Sequence, residues 1–306
     1  MWGIEVDEVW PLTSADEAAL AEIKDMFRER PLPADLLEAR QSLADLTSRA
    51  PLAEEVEVRP TTLGGIPCER NLPPGRRDGV VFFLHGGAYV MGSPATHRHY
   101  TTRLARESGC EVISPDYRLA PEDPHPAAVE DSVAAYRALL ESHASSEITL
   151  VGESAGGGLA VGVLHTLIDR GLPLPARYAL INPWLDLTCS TPAYARNAKA
   201  DFSLQREDLL RAAKAYLDRP ALDDKVVFPL IAPPRGFPPG LILVGGNDLL
   251  VDDSLIFASL ARSCGVDVRI IVLESMPHVW PALVKQLECS RAGLAAVSRF
   301  VVAGAS

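Results

Sequence analysis

A serine held between two glycines, Gly152-Glu153-Ser154-Ala155-Gly156, restricts this chain more than any other stretch, because of what lies on either side of it. Before it runs Ile148-Thr149-Leu150-Val151, apolar and of strand length; after it a helical pattern extends from Ser154 to Arg170. A strand that becomes a helix within one residue forces that residue into a strained backbone, and glycine is required two positions before and two after it. The hydroxyl is thereby lifted clear of the sheet. The helix also aims its unpaired N–H groups, and the positive end of its dipole, at any negative charge that develops beside the serine. Acyl transfer needs these features, and Ser154 is the expected nucleophile.

Around this bend the chain alternates. Strands are expected at Glu55–Arg59, Ile66–Asn71, Val80–Leu84, Glu111–Ser114, Ile148–Val151, Tyr178–Ile181, Leu241–Val244 and Val268–Leu273, with helices at Ala95–Glu107, Ala127–Glu141, Ser154–Arg170, Asp253–Cys264 and Pro281–Phe300. Such alternation predicts a mostly parallel, eight-stranded, doubly wound α/β sheet. The unbroken apolar run Val80–Leu84 suits a strand covered on both faces.

Two stretches do not fit the rhythm. Before the first strand, two amphipathic helices are predicted: one opened by a Ser14/Glu17 capping box and carrying Leu20, Ile23, Met26 and Phe27, and one carrying Leu36, Leu37, Leu43 and Leu46. Pro31 and Pro33 separate them, and Pro51 ends the second. Between Ile181 and Leu241 lie about sixty residues with a helical stretch at Gln205–Tyr216, and an insertion of that length is usually functional. Placed after a strand's carboxyl end, it sits above the crevice where open α/β sheets bind ligands. The predicted division is therefore a helical cap from residues 1–54 and 187–227 over a catalytic domain from 55–186 and 228–306.

Composition narrows the partners. At 306 residues the chain has room for one large domain and an accessory element, and its net charge of −11 argues against nucleic acid or an anionic membrane surface. Five scattered cysteines with no Cys-x-x-Cys suggest neither a disulfide framework nor a zinc cluster. The acidic start, Met1-Trp2-Gly3-Ile4-Glu5-Val6-Asp7-Glu8, and the absence of an apolar run near the roughly 18 residues of a membrane span make cytoplasm the expected location.

A serine nucleophile needs a general base, and the base needs an acid to hold its tautomer. On a sheet of this kind the acid and then the histidine follow the serine, each on a loop after a later strand. Only His165 and His278 follow Ser154. His165 falls mid-helix, which leaves His278, directly after the Val268–Leu273 strand, as base. Gly245-Gly246-Asn247-Asp248 follows the Leu241–Val244 strand and offers Asp248 as the acid; Asp252 is the alternative, although Asp252 and Asp253 sit where helix-capping residues belong. For the oxyanion, His85-Gly86-Gly87-Ala88 leaves the Val80–Leu84 strand with paired glycines that let the N–H groups of Gly86 and Gly87 approach a carbonyl oxygen, and Ala155 supplies a third. Candidate pocket walls are Tyr89, Trp184, Leu185, Phe202, Leu204, Val279 and Trp280, with Met26 and Phe27 from the first helix.

His85-Gly86-Gly87-Ala88, Gly152-Glu153-Ser154-Ala155-Gly156-Gly157 and Asp116-Tyr117-Arg118-Leu119-Ala120-Pro121-Glu122 together resemble the signatures of the hormone-sensitive-lipase family of bacterial esterases, and Gly246-Asn247-Asp248 and Pro277-His278 extend the likeness. The resemblance implies an α/β-hydrolase core with a helical cap, a Ser–His–Asp triad and no metal or organic cofactor. It also implies a brace for the oxyanion loop from residues 117–122, so that Asp116, Arg118 and Glu122 are structural. Ala88 replaces the family's third glycine and Glu153 its more common aspartate. The expected activity is a serine carboxylesterase acting on short- to medium-chain esters of small molecules through an acyl-enzyme. Lactone hydrolysis and amide or formamide cleavage by the same residues are the alternatives; a non-catalytic receptor of this fold resembles the family without its histidine. Relatives often dimerise through the last sheet strand, which makes such a homodimer an option.

Overall fold

In the computed structural model, residues 4–29, 33–217, 224–278, 280–283 and 286–303 are described. The chain enters at β1 (Glu8–Trp10), passes through α1 (Ser14–Glu29) and α2 (Leu36–Ser48), and forms the hairpin β2 (Glu57–Leu63) and β3 (Ile66–Leu72). Strands and helices then alternate through β4 (Val80–Leu84), α3 (Pro94–Ser108), β5 (Glu111–Pro115), α4 (Ala127–Leu139), β6 (Ile148–Glu153), α5 (Ala155–Asp169) and β7 (Arg177–Ile181). A long excursion with α6 (Ala193–Arg196) and α7 (Arg206–Tyr216) precedes β8 (Gly240–Gly245), α8 (Val251–Ser263), β9 (Val268–Leu273) and α9 (Glu288–Val302).

Among the described residues nine strands make one sheet, in the order β1-β9-β8-β7-β6-β4-β5-β3-β2. All neighbours from β5 through β4 to β1 pair in parallel, and only β2–β3 and β3–β5 are antiparallel. Alternate residues of each strand feed opposite layers. Val80, Phe82 and Leu84 of β4 pack with Leu159 of α5 and Phe257 of α8, whereas Val81 and Phe83 pack with Leu104 of α3 and Leu294 of α9. Helices α3 and α5 therefore cover opposite faces. The strands they follow, β4 and β6, are neighbours, so the connections diverge there and open a crevice at the carboxyl ends of the two strands.

The doubly wound α/β architecture matches the expectation, with corrections in detail. Eight strands were expected and nine form: Glu8-Val9-Trp10 lies parallel to β9 with Glu8 opposite Ile271, too short a segment for an alternation signal. Residues 1–54 are thus not wholly a cap, because their first strand belongs to the sheet. The last strand in the chain is not a free edge either, and two copies pairing edge to edge through β9 would have to displace β1. The capping box of α1 is built one residue earlier than expected. The Thr13 hydroxyl accepts the Asp16 N–H at 3.1 Å, and Asp16 also receives the Glu288 and Cys289 N–H groups at 2.6 and 3.2 Å, so one buried carboxylate serves the starts of α1 and α9. Pro31, expected between the first two helices, lies outside the described residues. Among the described residues no helix is long and apolar enough to cross a membrane.

Candidate active site

Ser154 sits at the junction of β6 and α5 with φ 56° and ψ −121°, a backbone that residues with a Cβ rarely adopt. The two flanking glycines are sterically required: a Cβ on Gly152 would overlap the Gly156 carbonyl, and one on Gly156 would overlap the carbonyls of Leu84 and His85. The bend is held by backbone contacts, with the Ser154 N–H donating to the Ile181 carbonyl and the Trp184 N–H to the Ser154 carbonyl, each at 2.9 Å.

His278 and Asp248 arrive from the loops after β9 and β8. His278 Nε2 lies 2.9 Å from Ser154 Oγ, and its Nδ1 lies 2.9 Å from Asp248 Oδ2. This geometry fits the tautomer in which Nδ1–H donates to the carboxylate and Nε2 accepts the serine proton. Ser154 and His278 are each 8% exposed and Asp248 is fully buried, its second oxygen accepting the Leu250 N–H at 2.8 Å. Burial alone disfavours a charged imidazole. The carboxylates of Asp248, in contact, and of Asp201 and Glu153 outweigh it and push His278 up to about 9.

The Gly86 and Gly87 turn stands beside the serine, since a Cβ on Gly86 would press on Ser154 Cβ and on the Glu153 carboxylate. The N–H groups of Gly86, Gly87 and Ala155 meet no acceptor among the described residues and are available to a ligand oxygen. The Tyr117 hydroxyl donates to the His85 carbonyl at 2.7 Å, and its ring stacks on the His85 ring at 4.1 Å. Burial pushes His85 down to about 3, so it braces the turn as a neutral ring. Ala88 takes φ 54°, where a glycine would carry no penalty. Glu153 accepts from His97 Nε2 at 3.1 Å if that nitrogen carries the proton.

Other predicted residues are placed differently. Asp252 is bound by Arg196 at 2.7 and 3.1 Å and does not meet His278; Asp253 receives the N–H groups of Leu185 and Asp186. Neither caps its own helix: both lie within its first turn, and the residue before it, Leu250, makes no side-chain cap hydrogen bond. Asp116, Arg118 and Glu122 lie outside the hydrogen-bonded chain, with Arg118 gripping Asp131. His165 packs edge-on to Phe237 at 4.8 Å. Of the pocket candidates, Trp184 and Leu185 are core, and Trp280 is buried against Gly293 of α9 with its indole N–H on Asn182 Oδ1 at 2.8 Å. Tyr89 is buried too, its ring stacked 3.9 Å from Tyr216 of α7. Phe202 and Leu204 are half-buried, Phe202 meeting Phe27 edge-on at 5.4 Å, while Met26 faces solvent. Val279 lies outside the described residues.

Sequence reasoning missed the residues that hold these loops. Asn182, at φ 47° after β7, donates to the His278 carbonyl at 2.6 Å and accepts the Gly245 N–H at 3.2 Å as well as the Trp280 indole. Asn197 donates to the carbonyls of Gly246 and Asp248 at 3.1 and 2.8 Å, and Asp201 accepts the Leu249 N–H at 3.2 Å. An asparagine directly after a strand, where a left-handed residue is needed, is the one signal the sequence offered.

An α/β hydrolase fold family model matches residues 81–282. An acetyl-hydrolase from Streptomyces hygroscopicus is 41% identical over 209 residues, covering 68% of this chain and 70% of its own. A solved structure of a double mutant of the esterase E40 superposes with a TM-score of 0.91 at 37% identity, covering 94% of this chain and 98% of that one. An esterase of the bacterial hormone-sensitive lipase family does so at 0.90 and 35%, covering 96% and 99%.

Proposed function

This chain belongs to the hormone-sensitive-lipase family of bacterial esterases, an ester-hydrolase family of the α/β-hydrolase fold, and from that premise we propose that it is a serine carboxylesterase working through an acyl-enzyme. Ser154 attacks the ester carbonyl while His278 takes its proton, Asp248 holds the imidazole, and the N–H groups of Gly86, Gly87 and Ala155 receive the oxyanion. His278 then protonates the leaving alcohol, and water repeats the sequence on the acyl group. The observation that carries this reading is the unbroken chain of two 2.9 Å contacts from a strained serine through His278 to a buried carboxylate.

The preferred substrates are esters of small molecules with short to medium acyl groups. One feature supports the short end: a relative sharing two fifths of the aligned residues is described as an acetyl-hydrolase. Helices α1, α2, α6 and α7 act as the cap. The test is Ser154→Ala: it should abolish hydrolysis of p-nitrophenyl butyrate and labelling by a fluorophosphonate while the circular dichroism spectrum stays unchanged. Wild-type turnover in that variant would end the proposal.

A further inference from the structure

The turn from Gly86 to Met91 carries three consecutive residues in the left-handed region: Gly87 at φ 122°, Ala88 at 54° and Tyr89 at 63°. Ala88 and Tyr89 have side chains, so this backbone is costly and persists only where its surroundings over-determine it. Within the turn, the Gly87 carbonyl accepts the N–H groups of Val90 and Met91 at 3.0 and 2.9 Å, and the Ala120 N–H holds the Tyr89 carbonyl at 3.0 Å. A further hold comes from far away in the chain. Arg40, on α2, donates from Nε to the Val90 carbonyl at 2.7 Å and from Nη2 to the Ala120 carbonyl at 2.9 Å, and its two terminal nitrogens fork onto Glu122 at 2.8 Å each.

A guanidinium is planar and rigid, so acceptors bound to one such group are fixed relative to each other. Here those acceptors are the far end of the strained turn and the 120–122 segment that holds its middle. The geometry points to Arg40 as a positioning residue for the oxyanion hole, through which helix α2 locks the turn that aims the Gly86 and Gly87 N–H groups. This rests on the reading of those groups as oxyanion donors. Its consequence is that α2, which precedes the core and was expected only to cover the site, takes part in stabilising the transition state. The Arg40 guanidinium also draws the Glu122 carboxyl down to about 2, so the fork is intact throughout the pH range of an ester assay.

The experiment compares wild type, Arg40→Ala and Arg40→Lys. Reactive serines are counted with a fluorophosphonate, and kcat and KM for p-nitrophenyl butyrate are expressed per titrated site. Arg40→Ala is expected to lower kcat per site about tenfold with KM within about twofold, because misplaced donors weaken transition-state binding more than substrate binding. Arg40→Lys keeps the charge but cannot span two carbonyls and a carboxylate, and should lose about threefold or more. Affinity for a trifluoromethyl ketone, whose hemiketal oxyanion enters the same hole, should fall in proportion to kcat/KM. A purely structural arginine would lower the thermal midpoint and the titratable fraction and leave kcat per site untouched. That result overturns the proposal, and if the alanine variant does not fold, the lysine variant decides it. A wild-type protein that neither takes the label nor hydrolyses the ester overturns the serine-esterase reading and this proposal with it, whereas unchanged variants of an active wild type overturn this proposal alone.

Discussion

The proton on His278 decides when the proposed chemistry can run. Ser154 needs a neutral imidazole, and the buried carboxylates around His278 raise its pKa to about 9. The sign follows: protonated histidine cannot accept, so kcat/KM should climb with pH along a limb displaced to the alkaline side of the ordinary 6.5 and level off only as pH passes that raised value. In Asp248→Asn the largest raising influence is gone and burial remains, so the limb should move back toward or below 6.5 while kcat falls by about 10⁴. Fluorophosphonate inactivation rates across a pH series would reveal both changes; an unmoved limb would show that Asp248 does not set the proton affinity of the base. The three residues of this relay were legible in the sequence because each has an address, a Gly-x-Ser-x-Gly at a strand–helix junction or a loop directly after an apolar run. Arg40, Asn182, Asn197 and Asp201 have no such address. Each is a lone polar residue whose partners are main-chain atoms from distant segments, and no spacing rule marks a convergence that exists only in three dimensions.

Among the elements, α8 has a task that its sequence disguised. Asp253, expected to cap that helix, is fully buried and collects the N–H groups of Leu185 and Asp186 at 3.1 and 2.9 Å, the Thr191 hydroxyl at 2.9 Å and the Tyr194 hydroxyl at 3.2 Å. Beside it, Asp252 holds Arg196. The first turn of α8 is thus a clamp on the segment that leads from β7 into the insertion. Replacing Asp253 with alanine strands three donors in a dry site, since the Tyr194 hydroxyl keeps the Asp186 carbonyl at 3.2 Å, and the expected cost is about 3 kcal/mol or more, read as a fall in the urea midpoint. Asp253→Asn keeps one acceptor oxygen and should lose less; equal midpoints for the two variants would contradict the clamp. The strands of the alternating core were readable because each is a continuous apolar run with a fixed place between helices. β1 was not, since three residues cannot display a period, and its place in the sheet depends on the β9 edge it covers.

For the molecule as a whole, sheet order fixes where the chemistry can be. β4 and β6 are adjacent while their following helices leave toward opposite faces, so the Gly86–Gly87 turn and the Ser154 bend meet at the crevice this strand order opens. The proposed cap comes from two places in the chain, the helices before the first hairpin and the insertion after β7. They are joined where Phe27 of α1 meets Phe202 at 5.4 Å, edge to face. Both rings are only half-buried, so the joint is weaker than core packing and is the natural place for the covering layer to loosen. Phe202→Ala should therefore cost about 1–2 kcal/mol, less than a fully buried phenylalanine. If this joint limits how far the acyl chain can extend, the variant should also shift preference along a p-nitrophenyl ester series from acetate to decanoate toward longer chains. A profile identical to wild type, with stability reduced as expected, would show that this joint does not set the acyl-chain limit.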